Sequence, residues 1–273
     1  MPWTPEQRRQ YAPAISDAVR ANATVRLATM IDAIDPPART GRPRRWSTLT
    51  MLQALWWLCR AGSAWKLLPT LYPPRQTIGS RLERWVRLGV LDRALAVLNG
   101  CLRLARGRTW RPSAGVLDTQ SVRTGPQQGW RGYDAAKNVK GRKRVLLVDT
   151  GGLVQALRVV PASIQDRDTP AAIAAELAKS SLRKVWADLG FNGERPAVIM
   201  AHHGIELELV GRKNKTGFAV EPKRWIAEQT FGDLQRYRRL QVDHEGSSGM
   251  SRTMTLLAAL FMTGARFERQ IMA

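Results

Sequence analysis

The chain has 273 residues, 44% of them hydrophobic, which is enough for one large domain or two modest ones around a packed core. Lys and Arg number 43 against 22 Asp and Glu, and a formal net charge of +21 favours polyanionic partners, above all nucleic acid. The apolar runs at 51–59 and 254–265 are too short to span a bilayer, and no apolar signal segment begins the chain. Two cysteines exclude a disulfide framework and favour a reducing cytoplasm.

The first 107 residues have a helical pattern. After a loop at 35–45, Ser47 is placed to begin an apolar helix over 49–58, and Gly62 is placed to end it. Helical spacing of apolar residues predicts two more helices, over 77–88 and 91–104. The first of these follows a helix and a turn, so it could be a recognition helix for a DNA major groove, the alternative being an ordinary soluble face. Its polar side carries four arginines, Arg75, Arg81, Arg84 and Arg87.

From residue 111 onward, strand and helix patterns alternate. Strands are predicted at 113–117, 144–148, 153–160, 182–187 and 205–210, and helices at 169–179, 192–203, 221–242 and 250–271. This order matches a ribonuclease H-like layout, although other α/β folds share such runs. We therefore predict an α/β catalytic domain over 108–273, with a mixed five-stranded sheet and flanking helices, preceded by a helical DNA-binding domain over 1–107.

Three carboxylates fall where such a layout would bring them together. Asp118 follows the first strand, Asp188 lies 70 positions later at the end of the fourth, and Glu228 lies on a helix that can pack on the sheet. Three carboxylates at one point repel each other unless a cation is present, and hard oxygen ligands favour Mg²⁺ or Mn²⁺. Two such ions can catalyse the cutting and joining of phosphodiesters. Either Asp could instead only form an Asx turn. Spacing alone does not exclude other acids of this half, namely Asp134, Asp149, Asp166, Asp168 and Asp233.

Basic side chains cluster before the second predicted strand. The members, on what is predicted to be a loop, are Lys137, Lys140, Arg142, Lys143 and Arg144. A charge run is usually a solvated turn, but beside a metal site in so basic a protein we expect phosphate contacts. Arg236 belongs to a second basic group, and Trp130 lies where it could stack on an unpaired base. No Gly-rich phosphate loop or Cys/His zinc spacing is found.

Four blocks of sequence carry a family resemblance. Gly-Arg-Pro-Arg at 41–44 leads to an apolar helix, an Arg-x-Gly-x-x-Trp turn at 60–65 and Pro-Pro-x-Gln-Thr at 73–77. The other blocks are GYDAAKNVKGRKRVLLVDTGGL from Gly132, DLGFNG from Asp188 and RWIAEQTFGDLQRYRRL from Arg224. In this order they resemble the bacterial insertion-sequence transposases of the "five" group, over most of the chain.

The resemblance implies that Asp118, Asp188 and Glu228 hold two Mg²⁺ (or Mn²⁺) ions, and that Arg224 contacts phosphate or steadies the glutamate helix. It implies a homodimer at the bacterial nucleoid that binds terminal inverted repeats in double-stranded DNA, cuts there and joins the ends to target DNA. Gln229 stands where the group usually has Arg, and Val145 where His is common. A decayed DNA-binding regulator therefore stays open, as does a ribonuclease H-like nuclease that cuts without joining.

Overall fold

A computed structural model describes residues 17–36, 43–126, 129–211, 223 and 225–272. The helices are α1 (Asp17–Ile34), α2 (Thr48–Ala61), α3 (Arg75–Arg87), α4 (Val90–Ala105), α5 (Ala174–Leu177), α6 (Glu194–His202), α7 (Trp225–Gln235) and α8 (Ser248–Met272). The strands are β1 (Ala114–Arg123), β2 (Gly132–Asp134), β3 (Val139–Asp149), β4 (Val154–Pro161), β5 (Lys184–Asp188) and β6 (Glu206–Val210). Short 3-10 segments are Trp65–Leu67, Asp166–Ile173, Leu189–Phe191 and Arg238–Leu240.

Local signals begin and end α2 as predicted. The Ser47 hydroxyl accepts a hydrogen bond from the Thr50 amide at 3.1 Å, which satisfies one of the free amides of the first turn. Gly62 adopts a left-handed conformation at φ 71° and donates its amide to the Leu58 carbonyl. The predicted helices that became α3 and α4 are also confirmed, with bounds shifted by one or two residues.

The strands form one mixed sheet in the order β2–β3–β1–β5–β6, with β4 also paired to β3. β1, β3 and β4 are antiparallel, whereas β1, β5 and β6 are parallel. This arrangement confirms the mixed α/β, ribonuclease H-like fold class. The prediction of five strands was wrong by one, because the three residues of β2 pair with the first residues of β3.

The two faces of the sheet bury different helices. One face, here called the α8 face, packs against α7 and α8 through Val116, Leu146, Val148 and Trp186. The opposite face, here called the α6 face, packs against α5, α6 and the 3-10 segments 166–173 and 189–191 through Leu117, Val145, Leu147 and Val185. Because successive side chains of a strand point to opposite faces, residue number alone assigns a strand residue to its face.

The N-terminal helices and the sheet share one hydrophobic core. Helix α8 lies between them and contacts α1, α2, α4 and β4. A buried hydrogen bond of 2.7 Å also joins Asn99 of α4 to the carbonyl of Val154 in β4. The division of the chain at residue 107 therefore stays a prediction.

Three element predictions were wrong in extent. β1 continues to Arg123 and β3 begins at Val139, so the predicted basic loop is largely strand. The segment from Asp166 is a 3-10 helix containing Pro170, which has no amide to donate, and only 174–177 is α-helical. The predicted helix over 221–242 ends at Gln235, where the chain turns into the 3-10 segment 238–240. No described helix is both long and apolar enough to cross a membrane.

Candidate active site

Asp118 and Asp188 lie level with each other on neighbouring parallel strands. Residues 114–116 of β1 pair with residues 184–186 of β5, so partners differ by 70 positions. The same offset separates Asp118 from Asp188, which places both just past the last paired residues. The expectation that Asp118 ends its strand was wrong, because β1 continues beyond it, but the pairing with β5 does end there.

Both aspartates belong to the α8 face. Asp118 is paired with Leu146, a residue of the core on that face. Asp188 follows Trp186 of the same core by two residues along β5, so alternation places it on that face too. The sheet therefore brings the two aspartates to one side, where α7 packs against β1 and β3.

Backbone amides orient one oxygen of each aspartate. The Thr119 amide donates to Oδ1 of Asp118 at 2.7 Å. The Gly190 amide donates to Oδ1 of Asp188 at 2.9 Å, and so Asp188 caps the 3-10 turn 189–191. The Asx-type turn is thus real, but a carboxylate offers about four acceptor positions, so a turn does not exhaust its capacity to bind a cation.

Glu228 lies in the first turn of α7 with its side chain exposed. Its neighbour Ala227 and the later Phe231 are buried in the core of the α8 face, which seats the helix on the sheet. Among the described residues no three His, Cys, Asp or Glu side chains form a group that could hold a metal ion. The three predicted acids therefore share a side of the sheet without forming a ready three-ligand cluster.

The segment before α7 contacts β5 through a cation–π interaction. The ammonium group of Lys223 lies 3.9 Å from the ring centroid of Trp186, whose indole nitrogen donates to Glu208 at 2.8 Å. Arg224, predicted from the family resemblance to act beside Glu228, lies outside the described residues.

Each of the other acids considered at this site has a basic partner. The pairs are Asp149 with Arg103, Asp168 with Arg195, Asp233 with Arg266 and Arg236, and both Asp134 and Asp166 with Lys143. Asp149 is also fully buried and accepts hydrogen bonds from the amides of Gly151 and Leu153. Ion pairs within the fold thus account for these five acids.

Sequence reasoning missed a buried polar network on the α6 face, next to Asp118. The Lys143 ammonium group is 2.6 Å from Oδ1 of Asp166 and 3.5 Å from Oδ2 of Asp134. The Thr119 hydroxyl donates to the same Oδ1 of Asp166 at 2.7 Å. Thr119 also donates its amide to Asp118, so the network ends one residue from the predicted catalytic acid. Alternation along β3 was the signal that could have revealed it.

The pKa of Asp134 reflects this network. Burial by itself would raise the pKa, but the Ser121 hydroxyl, the Lys137 amide and the Lys143 charge stabilise the carboxylate. The net effect holds the pKa of Asp134 below its ordinary value of 3.8.

Three cations expected to contact phosphate are interior residues of β3. Arg142, Lys143 and Arg144 are only 2–3% exposed. Arg142 donates to Asp243 at 3.1 Å and to the Glu245 carbonyl at 2.7 Å. That expectation is wrong for these three, because their charges bond to protein groups. Burial lowers the pKa of Arg144 to about 10, whereas Lys137 and Lys140 are exposed.

The arginines predicted on the recognition helix have different environments. Arg75 is exposed at the start of α3. Arg84 is 2.7 Å from the buried Asp35, and its hydrogen bond lowers the pKa of that carboxyl. Arg81 is half-buried beside the Trp85 ring, and burial lowers its pKa. Arg236 is exposed and 3.3 Å from Asp233, so Arg75 and Arg236 present the freer charges of this group.

Comparison with known families covers both parts of the chain. The family described as "Transposase DDE domain" matches residues 109–262, more than half of the chain. The family described as "Putative transposase of IS4/5 family" matches residues 25–95. The chain belongs to the IS4/5-family DDE transposases. This confirms the resemblance on which the site was predicted.

Two curated relatives match shorter segments. Over 57 residues this transposase is 39% identical to "Uncharacterized protein y4sN" of Sinorhizobium fredii. The matched segment is 21% of this chain and 46% of that protein. Over 63 residues it is 33% identical to "Putative transposase for insertion sequence element IS402" of Burkholderia cepacia. This matched segment is 23% of this chain and 30% of that protein. The matched segments thus span less than half of either relative.

The donor chemistry of the site fits the metal that the family implies. DDE transposases process nucleic acid and generally use divalent metal ions. Mg²⁺ and Mn²⁺ prefer carboxylate oxygens, and two aspartates stand level with one oxygen each already oriented. Glu228, the third predicted ligand, lies on the helix that packs on the same face.

Proposed function

We propose that this transposase binds the terminal inverted repeats of its element, cuts the DNA there and joins the freed ends to target DNA. Asp118, Asp188 and Glu228 are the proposed ligands of two Mg²⁺ (or Mn²⁺) ions. The observation that supports this most directly is the shared 70-residue offset, which sets the two aspartates level on the side of the sheet that α7 covers.

The acids have distinct tasks in this proposal. When bound, the ions activate the attacking oxygen and stabilise the leaving one. Asp118 and Asp188 stand on rigid strands, each with one oxygen held by an amide, so little rearrangement is needed to present them. Glu228 stands on a helix surface and completes the ligand set from across the site. Positioning and electrostatics then supply most of the rate enhancement.

Exposed cations are the proposed DNA contacts. In the catalytic part these are Lys137, Lys140 and Arg236, with Arg224 proposed on the family resemblance. In the helical part Arg75 is proposed to contact the repeat, whereas Arg84 and Arg81 also stabilise the fold. Homodimerisation, which would bring two element ends together, belongs to the same proposal.

The test is cleavage of a labelled duplex that carries the flanking repeats, with Mg²⁺ or Mn²⁺. Asp118→Asn and Glu228→Gln should abolish nicking at the repeat end, with a fall in rate of at least about a thousandfold, because each removes a metal ligand. Glu194→Gln, an exposed acid on α6, is the matched control and should cut normally. Unchanged cutting by Asp118→Asn would refute the proposed ligand set.

A second arm adds target DNA to the pre-cut end. Joined product establishes a transposase, whereas cutting without joining establishes the nuclease alternative. Tight binding without cutting establishes the decayed regulator. Gln229 supports this alternative, because it stands in place of the family's usual Arg and is exposed on α7 beside Glu228. Val145 carries less weight, since it is fully buried on the α6 face as part of the core.

A further inference from the structure

A surface pocket of about 470 Å³ lies at the end of the sheet beyond Asp118. The end of β1, β2 and the start of β3 form its walls, through Arg123, Thr124, Arg131, Tyr133, Asn138 and Lys140. A volume of this order is typical of sites for small organic groups, and a single nucleotide is of suitable size.

The pocket is positively charged and contains no acid. Arg123, Arg131 and Lys140 line it, and no carboxylate lines it or forms an ion pair with them within the described part of the chain. This differs from the interior of β3, where cations bond to protein groups. Cations at a pocket without acidic counter-charges favour an anionic ligand, and phosphate is the anion of the proposed substrate.

One exposed aromatic ring, that of Tyr133, lines the pocket, and a second, that of Trp130, directly precedes Arg131 in the chain. Tyr133 is 53% exposed, and its hydroxyl donates to Oδ1 of Asn138 at 2.9 Å, which fixes the ring at the pocket wall. Trp130 is 80% exposed, while its backbone carbonyl accepts a hydrogen bond from Arg142 at 2.9 Å. Anchored backbone beneath an exposed aromatic ring is the arrangement expected of a platform on which a base stacks.

The pocket opens on the same side of the sheet as the aspartates. Tyr133 is paired with Lys140, and Lys140 lies on the α8 face because it is an even number of residues from Leu146, the partner of Asp118. Six residues of strand separate Lys140 from Leu146, which is about 20 Å. At 3.4 Å per nucleotide along a strand, that is about six nucleotides from the cleaved bond.

We propose that this pocket binds one unpaired nucleotide of the DNA end, with its base stacked on Tyr133 and its phosphates held by Arg131 and Lys140. The inference rests on the proposed function, since it takes DNA as the ligand. It adds that the protein selects or creates a locally opened duplex about six nucleotides from the cut.

The experiment measures binding without divalent metal, so it does not depend on catalysis. The probes are duplexes of the element end with one mismatched 2-aminopurine, moved through about ten nucleotides on each side of the cut, and a fully paired duplex. Quenching of 2-aminopurine fluorescence is expected in one narrow window of positions. Mismatched duplex should bind about tenfold more tightly than paired duplex, because stacking is gained without the cost of unpairing.

Tyr133→Ala should remove the quenching and lower affinity for the mismatched duplex about tenfold, with little effect on paired duplex. Tyr133→Phe should retain both. Arg131→Ala should lower the slope of log affinity against log salt by about one. Arg183→Ala, an exposed arginine at the opposite end of the sheet, is the control and should leave the quenching unchanged. Thermal melting establishes that each variant is folded.

Quenching that survives Tyr133→Ala, or quenching absent from every position, would overturn the pocket assignment. Equal competition by free dAMP would overturn it too, by showing a site for a free nucleotide. If cleavage occurs without any quenching, the proposed function stands and this inference falls. If the quenching pattern appears in a protein that never cuts, the inference stands and the catalytic proposal falls.

Discussion

The first five residues of β3 include cations in very different surroundings. Lys140 near its start is exposed at a pocket wall, whereas Arg142 and Lys143, two and three residues later, are almost fully buried. In sequence these residues form one basic run. The difference arises from packing against distant segments. Asp243 and the Glu245 carbonyl reach Arg142, whereas Asp166, Asp134 and the Ile164 carbonyl reach Lys143. The number of cations in a segment therefore does not tell how many of them face DNA.

The comparison predicts that substitutions of two lysines in this run change the free energy of unfolding by very different amounts. Lys143→Met should lower the free energy of unfolding by about 3–5 kcal/mol, because Asp134 and Asp166 would keep their charges without the buried partner. Lys140→Met should change it by no more than about 0.5 kcal/mol, as expected of an exposed residue. Urea denaturation measures both. Similar losses for the two variants would contradict the assignment of one to the interior and one to the surface.

Acid pH should weaken the interior network and leave the charges of the surface cations unchanged. Because the pKa of Asp134 is lowered in the folded state, its stabilisation is present above pH 3.8 and is lost as pH falls through the lowered pKa. Ser121→Ala removes one of its hydrogen bonds and should cost about 2 kcal/mol at pH 7, with a smaller difference in strong acid. Unfolding measured from pH 7 downward tests this. A cost independent of pH would indicate lost packing instead.

The smallest expected effect comes from adding a cation at the surface. Gln229→Arg places a charge on the exposed side of α7, next to Glu228, and should make the slope of log DNA affinity against log salt steeper by about 0.9. Stability should stay within about 0.5 kcal/mol of the original. Gln235→Arg, exposed at the end of the same helix, is the control. An equal change of slope in both variants would mean that the charge acts at long range and not at the site.

Local signals in the sequence were sufficient for much of the fold. Ser47 and Gly62 mark the ends of α2 by their own side-chain and backbone chemistry, so no distant contact was needed to predict them. The succession of strands and helices was also recoverable from hydrophobic runs. The pairing that places Asp118 level with Asp188 was expected only because that succession matches a ribonuclease H-like layout.

The remaining features depend on partners far away in sequence. β1 extends past Asp118 because β3 pairs along its whole length, which no local pattern of 113–117 reveals. In the sequence Arg142 belongs to a basic run that is typical of a loop. In the fold it is a strand residue that bonds to Asp243, about a hundred positions later. The position of Glu228 relative to the aspartates depends likewise on how α7 packs, and the ligand set stays a prediction.

The contact between α8 and the N-terminal helices has a consequence for how such proteins diversify. When a domain is exchanged between related proteins, the hydrophobic surfaces of both domains must remain buried. Here Leu257 and Leu260 of α8 are buried in the core that the N-terminal helices share, and the polar contact between Asn99 and Val154 spans the same junction. A chimera joined near residue 107 would expose these groups unless the incoming helices matched them. The two segments are therefore expected to change together, as one inherited unit.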